Sequence, residues 1–342
     1  MAEIKSKKKV NRRADATLFG FDFQVNAAIV IMLDNIENMK SIRLESENED
    51  IEIKCNDDSL ILAQAKAVEK GESDFKHVKE NLKKALVSLS EGSYGKKIEK
   101  IIYVTNSVNP LGDKRTMMSF IGLSRRSYED LPPQAQKIID EYMSNISESL
   151  DKSKLWIQTI PFYTDCEEER YKVIKGCIDD FIGRLNILST GLKDKLFEVW
   201  NTTIFQNGSK HDATITIKKA DVIWPIIMIA TDIKTNDDYF SDDFDDAEID
   251  EITHYYGDLI NNCIEKFSFL NRVISDYGCF SFKGNTKEKC HKFAFTKWKK
   301  YEKEFKFTTM DSKTRENVIK VIIYQILRRR FLVNKVKEAV KL

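Results

Sequence analysis

Apolar positions near the start of the chain change from a dense block to an alternating pattern, which predicts a helix followed by strands. Residues 18–39 carry closely spaced apolar side chains without proline, as is typical of a largely buried helix. A short strand is expected over 42–45. Residues 50–54 alternate polar and apolar side chains, which predicts a half-buried strand. Turn-forming residues 56–59 separate it from the apolar run 60–66, so these two strands are expected to form a hairpin.

A second helix and a fourth strand complete the first predicted domain. Asp74 is a candidate N-cap for a helix that continues to Leu89 with apolar residues at helical spacing. Residues 98–105 then form an apolar strand that ends before Pro110. The predicted fold class is therefore α/β, with an α-β-β-β-α-β core over residues 1–110.

The pattern after Pro110 indicates a second, mostly α-helical domain over residues 111–342, with the boundary between 108 and 130. One possible strand is present at 155–160. Helical periodicity occurs in six stretches, 134–143, 170–188, 192–200, 220–230, 249–274 and 315–340. A chain of 342 residues exceeds the size that one core supports comfortably, which agrees with two domains.

Composition describes a soluble protein with a heavily charged surface. Hydrophobic residues make up 42% of the chain and charged residues 32%. No unbroken run of about 18 apolar residues occurs and no apolar signal segment begins the chain, so a cytoplasmic protein is expected. The formal net charge is +1, so affinity for nucleic acid must come from local patches. A basic arm (residues 5–13) and an acidic run (242–251) are two such patches, although a solvated tail and a loop that leads into a helix start are the favoured explanations.

Cysteine and histidine usage does not indicate a structural zinc site. The chain has six cysteines and four histidines, and no two cysteines stand in a CxxC spacing. Cys290 and His291 are neighbours in sequence, but adjacent side chains point in different directions, so core packing is expected rather than a nucleophilic pair. The aromatic and basic stretch 292–307 could stack bases, but packing or partner binding is favoured. Residues 92–97 lack the spacing of a phosphate loop.

Polar residues of the predicted hairpin form the strongest candidate site. Alternation puts Asp50 and Glu52 on one face of their strand, and Gln64 and Lys66 on one face of the next. If the hairpin pairs, a carboxylate, an amide oxygen and an ammonium converge beside a strand end. Phosphodiester hydrolysis uses such a set, with hard oxygen ligands for Mg²⁺ and a cation near the developing charge. An edge strand running into solvent would explain Gln-x-Lys without any function.

Four ordered motifs between residues 14 and 110 resemble a known nuclease family. They are Gly20-Phe21-Asp22-Phe23-Gln24, Glu45 with Glu49-Asp50-Ile51, Gln64-Ala65-Lys66, and Tyr103-Val104-Thr105-Asn106. Together they resemble the Cap-four-type nuclease domain of bacterial anti-phage effectors. That domain belongs to the P-D-(D/E)-x-K restriction-endonuclease superfamily, in the Mrr-like variant where Gln replaces the usual Glu.

The resemblance implies roles for five residues. Asp50 would be the main metal-ligating carboxylate, Gln64 a second ligand through its amide oxygen, and Lys66 the catalytic lysine. Gln24 and Glu45 would support the metal or its waters. The metal would be Mg²⁺ or Mn²⁺, and Gln at position 64 would weaken its binding by removing a negative charge. Two further acids, Glu49 and Glu52, are expected at the surface or behind the ligands.

The architecture of the whole chain resembles the nuclease subunits of Lamassu and related ABC-three-component defence systems. This likeness implies a DNA endonuclease that is controlled by an SMC-like ATPase subunit and a small accessory subunit, and that oligomerises on activation. Two other interpretations remain open from the sequence. One is a stand-alone restriction-like nuclease whose helical domain reads DNA. The other is a catalytically inactive nuclease fold that binds DNA or serves as a scaffold.

Overall fold

Two compact units make up the chain. The computed structural model describes residues 15–68, 77–146, 150–163, 165–187, 191–231, 243–261, 263, 266–305 and 310–342. The first unit comprises Met1–Asn35, Met39–Cys177 and Asn201–Thr216, and the second comprises Ile36–Asn38, Ile178–Trp200 and Ile217–Leu342. The boundary expected near residue 110 falls inside the first unit, so the division comes later in the chain than the sequence pattern suggested.

The order of elements in the first hundred residues is the predicted one. The described elements up to residue 208 are α1 (Asp15–Asp34), β1 (Met39–Leu44), β2 (Ile51–Cys55), β3 (Leu60–Lys66), α2 (Val78–Ser93), β4 (Ile98–Thr105), β5 (Ser124–Ser127), α3 (Pro133–Met143), β6 (Leu155–Thr159), α4 (Glu167–Arg170), α5 (Lys172–Arg184) and α6 (Leu192–Gly208). Helix, three strands, helix and strand therefore follow each other as expected. The predicted cap of α2, Asp74, lies outside the described residues.

The strands of the first unit form a mixed sheet in the order β5-β6-β4-β3-β2-β1. β2 pairs antiparallel with both β1 and β3, which confirms the predicted hairpin of β2 and β3. β3, β4 and β6 run parallel, and β5 returns antiparallel to β6. β5 was not predicted because its sequence, Ser-Arg-Arg-Ser, has no apolar alternation. β5 and β6 extend the sheet beyond residue 110, which is why the predicted domain boundary came too early.

Helices cover both faces of this sheet. One face packs on α2 and α3 through a cluster of buried residues: Leu62, Leu82, Leu86, Leu89, Ile101, Tyr103, Ala135, Ile139, Leu155 and Ile157. α1 packs against β1, β2 and β3, on the side to which the alternate residues of these strands point. α1 meets the length and apolarity of a membrane span. Phe23 and residues 25–33 of this helix are nevertheless buried against the rest of the protein, as in a core helix.

The second unit is mostly helical, as predicted. Its described elements after residue 216 are β7 (Ile217–Lys218), α7 (Lys219–Thr231), α8 (Asp246–Asn261), α9 (Lys266–Cys279), α10 (Thr286–Lys297), α11 (Ser312–Arg328) and α12 (Arg330–Ala339). α11 is the central helix, buried along most of its length and packed against α8, α9 and α10. The long helices predicted over 249–274 and 315–340 are each two helices.

Side chains of the second unit confirm two packing interpretations. Cys290 is buried and donates to the Tyr277 hydroxyl, whereas His291 hydrogen-bonds Asp243, so the neighbouring Cys and His point apart. In the aromatic and basic stretch, the buried rings belong to the core of this unit, namely Phe293, Tyr301 and Phe305. These rings are not available to stack bases.

Candidate functional site

The register of the β2–β3 hairpin brings the predicted site residues together. Ile51 pairs with Ala63 and Glu52 with Leu62, so Asp50 lies opposite Gln64 at the open end of the hairpin. The Gln64 amide nitrogen donates a hydrogen bond to Asp50 Oδ2. The backbone N–H of Ala65 donates to the same oxygen at 2.9 Å. The predicted convergence of Asp50 and Gln64 is therefore present.

Lys66 completes the group at the last position of β3. Its Nζ lies 3.9 Å from Asp50 Oδ2, and the two side chains are 30% and 16% exposed respectively. Partial burial lowers the effective dielectric around this ion pair, so the attraction is less screened than at the surface. Lys66 thus points its charge at the carboxylate. The edge-strand alternative required this side chain to extend into solvent.

Gln24 and Glu45 join the group from two other elements. Glu45 follows β1 with φ of 51°, a left-handed conformation that turns the chain, and its N–H donates to the Asp50 carbonyl at 2.7 Å. The Gln24 side chain, on α1, hydrogen-bonds the Glu45 carboxylate. Burial raises the pKa of Glu45, and the neighbouring charge of Asp50 raises it further. All five residues singled out from the sequence therefore occupy one neighbourhood.

Glu49 is a buried acid that lies behind the site. Of the two positions expected from the sequence, at the surface or behind the ligands, it takes the second. Its side chain packs under α2, where Ser88 Oγ donates to Oε2 at 3.2 Å. The other oxygen, Oε1, is buried with no hydrogen-bond partner. A Cβ built on Gly92 would come within 2.8 Å of the Asn48 carbonyl oxygen and 3.0 Å of Oε1, so glycine lets α2 approach this turn closely. Burial raises the pKa of Glu49 to about 8, with a contribution from the charge of Asp50.

The sequence contained a signal for Glu49 that the charge-rich turn concealed. Ser88 and Gly92 are four residues apart and so share one face of α2. A hydroxyl and a missing side chain one turn apart leave a polar niche on the side of α2 that meets Glu49. Glu52 differs, because it is partly exposed and accepts a hydrogen bond from Asn48, as expected of a surface group.

Residues at the end of β4 hold the chain around Lys66. Thr105 Oγ1 donates to the Lys66 carbonyl at 2.6 Å. Asn106 accepts from the Val68 N–H at 2.8 Å and donates to the Val68 carbonyl at 2.7 Å and the Phe162 carbonyl at 2.8 Å. These buried bonds fix the segment that follows β3. Thr105 and Asn106 of the Tyr-Val-Thr-Asn motif therefore fix the chain around the lysine, and Tyr103 of the same motif is the strand partner of Gln64.

The donor set suits a hard divalent cation with few protein ligands. Within the described ranges, no group of three or more His, Cys, Asp or Glu side chains is arranged to hold a metal. Asp50 uses Oδ2 for its bonds to β3, and no described residue donates a hydrogen bond to Oδ1. Mg²⁺ commonly keeps several waters and binds through one or two carboxylates, so Asp50 and Glu45 fit it. Gln64 presents its amide nitrogen, so its oxygen becomes a ligand only after the amide rotates.

Comparisons with known proteins add no identification. No protein-family model, no curated protein and no solved structure matches this chain.

A cavity of about 510 Å³ in the first unit is lined by Lys79, Gly112, Arg115 and Lys137 among others, and contains none of the predicted site residues.

Proposed function

We propose that this chain is a metal-dependent DNA endonuclease with a restriction-endonuclease-like core in its first unit. The observation that carries the proposal is the convergence of Asp50, Gln64 and Lys66 at the open end of one hairpin, partly shielded from solvent. The order of elements and the four motifs around these residues support it. A carboxylate and an ammonium in adjacent strands are the groups that phosphodiester hydrolysis requires.

The side chains have separable tasks in this proposal. Asp50 would hold Mg²⁺ or Mn²⁺ through Oδ1, with Glu45 holding its waters. When bound, such a cation polarises a phosphoryl oxygen and lowers the pKa of a bound water. Lys66 places its ammonium beside the ligand carboxylate, where it orients the attacking water or stabilises charge that develops on the phosphate. Thr105 fixes the backbone from which Lys66 extends.

The biological setting we propose is anti-phage defence in the bacterial cytoplasm. The motif resemblance supports an effector that is controlled by an SMC-like ATPase, by a small accessory subunit and by its own oligomerisation. A nuclease whose sequence offers little base-reading apparatus needs such control, because it would otherwise cut host DNA. We assign this control to the helical second unit.

A catalytically inactive DNA-binding or scaffolding subunit is the second candidate. The orientation of Gln64 favours it, because the amide donates to Asp50 and so occupies the place where a ligand oxygen would stand. Within the described residues, no three His, Cys, Asp or Glu side chains are arranged to hold one metal ion, which points the same way. A stand-alone restriction-like nuclease would share the proposed chemistry and differ only in its control.

Plasmid cleavage tests the proposal. Purified protein is incubated with supercoiled plasmid and Mg²⁺, next to Lys66→Ala and a control, Lys54→Ala, whose lysine pairs with Asp58 at the other end of the hairpin. Cutting by wild type and Lys54→Ala but not by Lys66→Ala supports the enzyme. If purified wild type is silent, the same variants are co-expressed with the neighbouring genes. Toxicity that persists in Lys66→Ala contradicts the mechanism, and DNA binding without cutting or toxicity supports the scaffold.

A further inference from the structure

An exposed apolar pair lies in the segment between β4 and β5, here called the wedge segment (residues 114–122). Met118 is 80% exposed and Ile121 is 58% exposed. Residues Lys114–Phe120 form a 3₁₀ helix that begins at Asp113, whose side chain accepts from the Arg115 N–H. Two large apolar side chains presented together by an ordered segment are a candidate contact surface.

The wedge segment is firmly attached to the sheet. Phe120 and Thr116 are buried, so the side chains next to the exposed pair anchor the segment. Thr159 Oγ1, at the end of β6, lies 2.8 Å from the Phe120 carbonyl oxygen and 3.0 Å from the Gly122 carbonyl oxygen, and its hydroxyl donates a hydrogen bond to them. Exposure of Met118 and Ile121 is therefore set by a fixed backbone.

Strand register places the wedge segment at the same edge of the sheet as the candidate site. Lys66 pairs with Thr105, Thr105 with Thr159, and Thr159 with Ser124, which follows the segment. This row crosses three strand spacings of about 4.8 Å, so the backbone of Ser124, two residues after the segment, lies about 14 Å from the backbone of Lys66. Along a DNA duplex that separation corresponds to about four base pairs.

Basic residues surround the apolar pair. Lys114, Arg115 and Arg126 are exposed, and Arg126 also donates to the Ser119 carbonyl within the segment. Arg115 is paired with Asp113, which leaves Lys114 as a cation without an ion pair in the described part of the chain. Proteins that bend DNA combine apolar side chains that enter a base step with flanking cations that hold phosphates. The exposed Lys114 and Arg126 next to the apolar pair supply positive charge that complements the phosphates of a duplex.

We infer that the wedge segment is a DNA-contacting element that sets Met118 and Ile121 against a base step while Lys114 and Arg126 contact phosphates. This inference rests on the proposed function, because it assigns the duplex that the site at Lys66 would cut. The element would position and deform the duplex about four base pairs from the scissile phosphate. Its contribution is to binding, so it can be measured without catalysis.

Binding of a fluorescein-labelled DNA duplex in EDTA, followed by anisotropy, tests the inference on the full chain. The test variant is Met118→Ala with Ile121→Ala. The matched control is Tyr94→Ala, since Tyr94 is 69% exposed and lies before β4, at the opposite edge of the same sheet. The double variant is expected to bind about tenfold more weakly and the control to bind like wild type. Circular dichroism checks that each variant is folded.

Two further readouts separate DNA contact from other roles. Lys114→Ala is expected to reduce the slope of log K against log salt by about 1. A 2-aminopurine base in the duplex should brighten with wild type, and not with the double variant, because unstacking relieves its quenching. Equal duplex affinities for wild type and the double variant overturn the inference, and an accompanying loss of self-association would identify a protein interface instead.

The outcomes distinguish this inference from the nuclease proposal. Wedge-dependent binding without any plasmid cutting would leave the inference standing and remove the nuclease. Plasmid cutting that depends on Lys66, with duplex affinity unchanged in the double variant, would support the nuclease and overturn the wedge inference.

Discussion

The two ends of the β2–β3 hairpin use the same residue types in opposite ways. At the turn, Lys97 lies 2.8 Å from Asp57, and Lys54 lies 3.1 Å from Asp58, with both aspartates well exposed. Hydrogen bonds from the lysines hold the pKa of each aspartate below its ordinary value. At the open end, burial instead raises the pKa of the acids next to Asp50.

The contrast shows that burial and the ratio of acids to bases separate a solvated turn from a candidate site. The turn supplies a lysine for each aspartate and keeps all of them in water, where such pairs contribute little. The open end gathers Glu45, Glu49 and Asp50 near Lys66, which forms its ion pair with Asp50. Buried carboxylates with too few cations and too little water around them reduce the stability of the folded protein. Such groups are frequent where a protein binds a metal or a substrate.

Removing one carboxylate at a time from the two ends of the β2–β3 hairpin should give the greatest difference in cleavage rate. Asp50→Asn should lower plasmid cleavage by about 1,000-fold, because it removes the proposed ligand. Asp58→Asn should leave the rate unchanged, since its carboxylate only joins exposed lysines. Cleavage rates at matched protein concentrations measure both. Similar losses in the two variants would show that the ends do not differ in function.

The pH dependence of stability sharpens the comparison. The folded pKa of Glu49, about 8, lies above its ordinary value of 4.5, so the folded protein favours the protonated form. Its contribution to stability is full below about pH 4.5 and is lost as the pH rises towards 8. In that window the slope is at most about 1.4 kcal/mol per pH unit.

Urea unfolding from pH 5 to 8 measures this slope for wild type and Glu49→Gln. The variant removes the titrating group and should lose less stability over the same range. Parallel pH profiles for the two proteins would mean that Glu49 titrates normally, as an exposed acid does.

A smaller effect is expected at the positioning residue. Thr105→Val keeps the shape of the side chain and removes the hydrogen bond to the Lys66 carbonyl, a loss of about 1 kcal/mol. We expect cleavage to fall by about fivefold with unchanged affinity for Mn²⁺, because the lost hydroxyl holds the backbone of the chain through the Lys66 carbonyl and the Ser107 N–H. Serine at position 105 retains the hydroxyl and should restore the rate. A fall in Thr105→Ser equal to that in Thr105→Val would attribute the effect to packing.

Much of the first unit could be predicted because its patterns are local. The bounds of β3 and β4 match the predicted 60–66 and 98–105, since apolar strands between turn signals leave few alternatives. Pairing of β2 with β3 followed from the turn, and it carried Asp50 to Gln64. Local rules do not reach β5, whose Ser-Arg-Arg-Ser sequence becomes a strand only through pairing with β6. The early domain boundary has the same cause.

The sequence predicted which residues belong to the candidate site, but it did not predict their burial or the orientation of their hydrogen bonds. Gln24 and Glu45 came from the motif resemblance, whereas burial of Glu49 depends on α2, an element from another part of the sequence. The orientation of the Gln64 amide is likewise a tertiary property, set by the distance between two strands. Sequence patterns name the groups that face each other, but the solvation of those groups depends on what packs over them.

Titration with Mn²⁺ measures whether Asp50 holds a divalent cation, which the proposed chemistry requires. Electron paramagnetic resonance of free Mn²⁺ is titrated with wild type, Asp50→Asn, Asp58→Asn and Gln64→Glu. We predict that wild type and Asp58→Asn bind the ion alike, that Asp50→Asn does not, and that the added charge in Gln64→Glu tightens binding by about tenfold. Binding that is the same in wild type and Asp50→Asn, or absent from all four proteins, would contradict the metal site on which the account depends.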